Sequence, residues 1–269
     1  MAESIAFIGG GQMAGSLLGG LLAAGHPAAR LLVAEPDAAR ATALRRQYGV
    51  EVRERGAEVI AGADALVLAV KPQVLREALA GIAPPADTTV ISIAAGVRIA
   101  ALRGWLGGSA PIVRAMPNTP ALLRAGVTGL HAPAQTPQRS RELAARILGA
   151  VGAVCWVADE AQLDAVTALS GSGPAYFYLL VEAMIDAGIL LGLPRQVAHE
   201  LIVQTAIGSA VMLRDSGEHP VKLREAVTSP AGTTISAIRE LENHGVRAAL
   251  LAALEAARDR AREIAAQSA

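Results

Sequence analysis

The chain of 269 residues is long enough for two ordinary domains, and its 24 Lys+Arg and 24 Asp+Glu leave no net charge to draw it to nucleic acid or an anionic membrane. Hydrophobic residues reach 52%, much of it alanine and leucine suited to packed helices, while aromatics are only 3%. The one cysteine, Cys155, excludes an intrachain disulfide and a cysteine-based zinc cluster and fits a reducing compartment; beside Trp156 it is expected to be a small buried hydrophobe.

The opening "MAESIAFIGGG" lacks a basic segment and meets glycines after a few apolar residues, so it predicts a strand rather than a signal peptide. No uninterrupted apolar run approaches the roughly 20 residues that span a bilayer. The expectation is a soluble, cytoplasmic protein with neither membrane nor nucleic-acid partner.

In chain order, "SIAFIGG" predicts a strand buried on both faces, and "QMAGSLLGGLLAAG" changes to helical spacing. "RLLVAE" predicts the second strand, "PDAARATALRRQYG" a helix between Pro36 and Gly49, and "ADALVLAVKP" a strand stopped by Pro72. "TTVISIAAG", "APIVRAMPNTP" and "GAVCWV" continue the strands. This alternation predicts an α/β fold, a doubly wound and mostly parallel sheet of the dinucleotide-binding kind over residues 1–159.

Beyond about Asp159 only helices are predicted, with Pro174, Pro194 and Pro220 at helix starts, which makes residues 160–269 a separate helical domain. The helix over 174 to 191 carries only Glu182 and Asp186 as charges. It must be buried nearly all round, within its domain or in a subunit interface.

"GGGQMA", from Gly9 to Ala14, fits G-x-G-x-x-A between a strand and a helix. There Gly9 permits a tight turn, Gly11 admits a pyrophosphate to the backbone, and the helix N-terminus stabilises the anion. Glu35 ends the second strand, where a carboxylate binds ribose hydroxyls and disfavours a 2′-phosphate; Arg40 and Arg45 could instead serve that phosphate. The cofactor is therefore NADPH or NADH, with the carboxylate inclining toward NADH.

Three further strand ends lie at the carboxyl edge of the sheet. "AVKPQ" offers Lys71 as a phosphate contact, an acid or a solvated lysine, and "SIAAG" leaves room for a flat ring. "RAMPNTP" sets Asn118 where its amide fixes the cofactor ring or the substrate, or simply makes a turn. In "LSGSGPAYFYL" the Gly171-Ser172-Gly173 loop caps a helix or offers amides to an anion.

"EAVTSPAGTTISAI" has no titratable side chain after Glu225. Gly232, Thr233 and Thr234 fall at a helix start, whose free N–H groups and hydroxyls suit a carboxylate; the hydroxyls are more than one helix cap requires.

Taken with "GGGQMAG", "AVKPQ", "RAMPNTP" and "LSGSGPAYFYL", this stretch resembles pyrroline-5-carboxylate reductase, from Ile5 to about Leu254. The resemblance implies NAD(P)H-dependent reduction of the cyclic imine 1-pyrroline-5-carboxylate to L-proline, the last step of proline biosynthesis. It also implies a Rossmann domain followed by an all-helical dimerisation domain, in a homodimer and often a homodecamer.

By motif, Ile8, Gly9, Gly10, Gly11, Gln12 and Met13 would bind pyrophosphate; Ala69, Val70, Lys71 and Pro72 would line the cofactor groove; and Ile93, Ala94 and Ala95 would lie near the nicotinamide. Ser229, Gly232, Thr233 and Thr234 would hold the substrate, with Thr234 and Ser229 as the catalytic hydroxyls and the partner subunit completing the site. Glu160 would lie near the substrate. Two positions depart from the family pattern: Glu35, where many members have a small or hydroxyl residue, and Ala226, where some have Asn. The rival class of 3-hydroxy acid dehydrogenases relies on a lysine in the helical domain, but the only lysine after Lys71 is Lys222, outside the glycine-rich turn.

Overall fold

A computed structural model describes residues 2–267. Its contacts divide the chain into two units: residues up to Ser172 together with those from Ala256 on, and Gly173–Glu255.

The first unit holds one sheet, from β1 (Ile5–Ile8), β2 (Leu31–Ala34), β3 (Glu51–Arg53), β4 (Ala65–Leu68), β5 (Thr89–Ser92), β6 (Ile112–Met116), β7 (Gly126–His131) and β8 (Gly152–Trp156). The strand order is β3-β2-β1-β4-β5-β6-β7-β8. All neighbours are parallel except β6 and β7. The predicted doubly wound sheet is thus present, with the order reversing between β1 and β4, where open α/β sheets bind ligands.

Strand alternation builds the core on both faces. Ile5 and Phe7 join Leu17 and Leu18 of α1 (Gln12–Ala23), Leu44 of α2 (Ala38–Tyr48) and Ile147 of α5 (Gln138–Gly149). Ala6 and Ile8 join Leu75 of α3 (Pro72–Ala78) and Leu102 of α4 (Ile99–Leu106) on the other face.

Two strands are additional to the predicted series. β3 buries only Val52 between two exposed charged residues, so it gives no apolar run. β7 follows β6 after a short 3-10 turn, Thr119–Leu123, too brief for a parallel crossover, and so runs antiparallel.

The contacts put the division later than the expected boundary at 159/160. The segment after β8 stays with the sheet: α6 (Gln162–Val166) ties Asp164 to Arg98 at 2.6 Å, and Val166 occupies the space a side chain at Gly129 would need. The last turns of α11 (Val246–Gln267) also return, burying Ala261 and Ala265 and setting Ile264 against Gly96, whose φ of +77° suits glycine. The Gly-Ser-Gly stretch is no open loop: Thr167–Gly171 form a π turn, with the Ser172 N–H donating to the Thr167 carbonyl, and helix α7 (Gly173–Leu190) starts directly afterwards.

Cys155 departs from expectation, being exposed. It stands on β8, the edge strand of the sheet. Trp156, on the opposite face, is 40% exposed under the Arg141 guanidinium, 5.3 Å from the ring centre.

The second unit contains α7, α8 (Arg195–Asp215), α9 (Pro220–Ala226), α10 (Thr233–Asn243) and the first part of α11. Gly188 lets Ala198 approach closely where α7 meets α8. Among its described residues only Gly173 and Ala198 are buried. Phe177, Tyr178 and Leu179 are each about two-thirds exposed, so α7 is not buried within one chain. By length and composition, the helical run Gln162–Leu190 could cross a membrane. Such a surface needs another apolar body to cover it.

Candidate active site

The glycine turn of the first unit is shaped by its neighbours. Gly9 has φ +95°, and a Cβ there would lie 3.0 Å from the Ala69 carbonyl oxygen and 2.6 Å from Val70. A side chain on Gly10 would strike Leu44. One on Gly11 would meet nothing within 4 Å, so this glycine keeps space outside the protein clear. Gly11 is also the residue that opens α1, with no side-chain cap, and no acid occupies the first turn. The free N–H groups of that turn face an open approach, which fits a pyrophosphate. A groove of about 320 Å³ opens beside it, lined by Gly10, Gly11, Gln12, Arg40 and Tyr48 among others.

Other predicted cofactor residues gather on the same carboxyl edge. Ile8 ends β1; Ala69 and Val70 follow β4 half-buried; Lys71 is exposed just before α3, which begins at Pro72. Ile93 and Ala95 are half-buried after β5, with Ala94 buried between them. Gln12 is exposed and Met13 half-buried at the start of α1.

Glu35 is occupied differently from expectation, and Asn118 takes the turn-making one of its expected roles. Glu35 is buried, with its side chain 3% exposed, and accepts the Gly10 N–H at 2.9 Å, the Asp37 N–H at 3.0 Å and an Arg40 guanidinium N–H at 3.0 Å. These donors turn the carboxylate into a strut for the glycine turn. The same pair raises the Arg40 pKa, first through the hydrogen bond and then through charge, and holds a half-exposed guanidinium beside the groove. Asn118 is buried; its Oδ1 accepts the Val127 N–H at 2.9 Å and its Nδ2 donates to the Ser170 carbonyl at 3.1 Å. Its amide braces the turn into β7 instead of reaching for a ring.

Glu160 belongs to a buried charge cluster. Its Oε1 accepts the Ile99 N–H at 2.8 Å and an Arg114 N–H at 3.2 Å, and Arg98 reaches both the Glu160 carbonyl and Asp164. Arg114 is 3% exposed and Asp164 is 2% exposed on their side chains. Burial pushes the Arg114 pKa down, while the Glu160 charge works against that shift. The cluster clamps α6 and the residue Glu160 before it to the start of α4 and to the middle of β6. The sequence signal for it was an arginine inside the apolar strand "PIVRAM", but nothing local named its partner 46 residues away.

The second unit carries the neutral turn. Gly232 is the residue before α10, and no side chain caps the helix. The first intrahelical donor is the Ser236 N–H, to the Gly232 carbonyl, so the N–H groups of Thr233, Thr234 and Ile235 start the helix without intrahelical partners. Gly232 sits against the Ser229 hydroxyl so closely that a Cβ would collide with it. Ala231 takes φ +59°, a left-handed conformation that costs an alanine about 1 kcal/mol. Thr228 donates to the Arg224 carbonyl at 2.6 Å and Ser236 to Gly232 at 3.2 Å, so these two hydroxyls serve the backbone. Thr234 is half-buried, Thr233 and Ser229 are exposed, and the first turn has no acid. This terminus can bind a carboxylate without adding charge.

Residues 160–264 match the family model described as pyrroline-5-carboxylate reductase dimerisation, and residues 4–96 match NADP oxidoreductase coenzyme F420-dependent. Over 265 residues the chain is 49% identical to pyrroline-5-carboxylate reductase of Pseudomonas aeruginosa, covering 98% of this chain and 97% of the relative. A solved pyrroline-5-carboxylate reductase from Coxiella burnetii superposes with TM-score 0.90 at 39% identity, covering 98% and 99% of the two chains. The Plasmodium falciparum pyrroline carboxylate reductase with NADP bound gives TM-score 0.85 at 29% identity, covering 98% of each chain.

Proposed function

We propose, for a chain that belongs to the pyrroline-5-carboxylate reductase family, a division of labour in which the glycine turn holds the cofactor and the neutral helix start of α10 holds the substrate. The reaction is reduction of 1-pyrroline-5-carboxylate to L-proline with NAD(P)H, the final step of proline biosynthesis. The observation that carries the division is the uncapped start of α10, with Thr233, Thr234 and Ser229 around it and no acid in its first turn.

The chemistry asks little of an acid or base. A ketone develops alkoxide charge as it is reduced, whereas a cyclic imine protonated near neutral pH is already an activated iminium. The bound nicotinamide supplies the hydride. The chain's own work is positioning: the amides of residues 233 and 234 grip the substrate carboxylate, and the Thr234 hydroxyl orients the ring nitrogen. Ser229 is a second hydroxyl beside Gly232. The combined test is NADH or NADPH oxidation by the purified protein with the imine present, followed by detection of proline; cofactor binding without turnover would refute the reading.

NADPH is the cofactor we assign. Support comes from Glu35, whose carboxylate is spent on Gly10, Asp37 and Arg40, and from the Arg40 guanidinium that it holds at the groove. Arg40→Ala should lower kcat/KM for NADPH by about tenfold, the loss of one charge-assisted contact, and leave NADH within about twofold. Glu35→Gln should weaken both cofactors, because it loosens the glycine turn; a selective gain for NADPH would return Glu35 to the ribose.

The assembly is at least a homodimer, and a homodecamer is the larger form we infer, both measurable by light scattering. Support for subunit contact in place of lipid comes from Glu182 and Asp186 within the apolar helix and from the dimerisation match across it. We place the reaction in the cytoplasm, in keeping with the single cysteine and the reducing cofactor.

A further inference from the structure

The sheet of the first unit is finished on one side of β8 and unfinished on the other. β8 is parallel to β7, with Gly129 beside Cys155 and Val127 beside Ala153, so the side chains of Ala153 and Cys155 share the sheet face on which Val166 of α6 covers Gly129. Helix cover on that face stops at β7, and one strand further out both Ala153 and Cys155 are exposed. The opposite face is covered by α5, whose Arg141 lies over Trp156.

Parallel strands are ordinarily covered on both faces. The residues left bare are small, which allows close approach by a helix. The outer edge of β8 is bare too. The Gly126 N–H donates to the Val151 carbonyl and the Val157 N–H to the Leu130 carbonyl, so odd-numbered residues turn their backbone toward β7; Gly152, Val154 and Trp156 therefore turn theirs outward.

The segment matching the dimerisation family begins at residue 160, four positions beyond the end of β8 at Trp156. That match also spans α7, whose Phe177, Tyr178, Leu179 and Leu180 are exposed. We propose that the subunit interface continues onto β8, a second copy of this chain covering Ala153 and Cys155 with its apolar helical surface. The lone cysteine is then a buried interface residue in the assembled protein although it is exposed in one chain.

The proposal rests on the oligomeric reading, and two measurements keep the two apart. Light scattering gives the assembly; thiol titration with dithionitrobenzoate gives the surface. In protein that light scattering shows to be assembled, Cys155 should react about a hundredfold more slowly than in denaturant, since attack needs an accessible thiolate. A chain made monomeric by Phe177→Glu with Leu180→Glu should react at the fast rate while keeping its helical circular dichroism. Cys155→Glu should dissociate the assembly and Cys155→Ala should leave it intact. Fast reaction of Cys155 in the assembled wild type would overturn the proposal, as would slow reaction in a folded monomer or an intact Cys155→Glu assembly. A monomeric wild type would overturn the oligomeric reading itself.

Discussion

Thr234→Ala should reduce kcat/KM for the imine by about 5- to 150-fold, the equivalent of one transition-state hydrogen bond worth about 1–3 kcal/mol. The expected loss falls mainly on kcat if the hydroxyl orients the ring nitrogen as hydride arrives, and mainly on KM if it only grips the carboxylate. Thr234→Ser, which keeps the hydroxyl, should recover most of the activity. Stability should change by less than about 1 kcal/mol, since the hydroxyl caps no helix and the residue is only half-buried. Steady-state kinetics with the imine varied at saturating NADPH gives both parameters. A change within twofold would remove Thr234 from the reacting centre and leave the α10 amides as the whole of the substrate cradle.

That prediction concerns a stretch whose local features, a turn and a helix start rich in hydroxyls, are legible in the sequence alone. Five hydroxyl residues around a glycine, followed by a helix pattern, describe a helix start of the kind proposed to hold the substrate carboxylate in purely local terms. The structure adds which hydroxyls are committed to the backbone, Thr228 and Ser236, and that Gly232, not a threonine, precedes the helix. The strand ends were legible for a similar reason: a short apolar run broken by glycine or proline is a local signal, and the doubly wound order follows once strands and helices alternate.

What was not legible depends on contacts between distant segments. Glu35 has the residue type and spacing of a ribose ligand, yet its carboxylate is claimed by the Gly10 amide 25 positions earlier in the chain. Asn118 has the setting of a turn residue with a free amide, yet Val127 and Ser170 use it. Cys155 was expected to be buried because of its type; its exposure follows from standing on the last strand of the sheet. β3 and β7 escaped because one is nearly all charged and the other begins with glycine after a loop. In each case local composition permits two outcomes and a tertiary partner chooses between them.

Glu160 gives the sharpest separation of a local reading from a tertiary one. Resemblance placed it near the substrate; the structure spends its Oε1 on Arg114 and on the Ile99 N–H. Glu160→Ala should therefore leave the 3% exposed Arg114 cation without its carboxylate. Removing one member of a buried pair costs about 3 kcal/mol, which for a chain of this size lowers Tm by roughly 5–10 °C. Desolvation already pushes the Arg114 pKa down, so the stranded cation has little to offset it beyond Asp164 nearby. Glu160→Gln, which can still accept the Ile99 N–H, should lose less. Replacing both partners, Arg114→Met with Glu160→Leu, should recover much of the stability, because no buried charge is then left alone. Below its Tm the Glu160→Ala protein should keep KM for the imine within about twofold, as expected for a residue acting on stability and not on ground-state binding. A tenfold rise in KM with an unchanged Tm would instead make the clamp incidental and put Glu160 at the substrate.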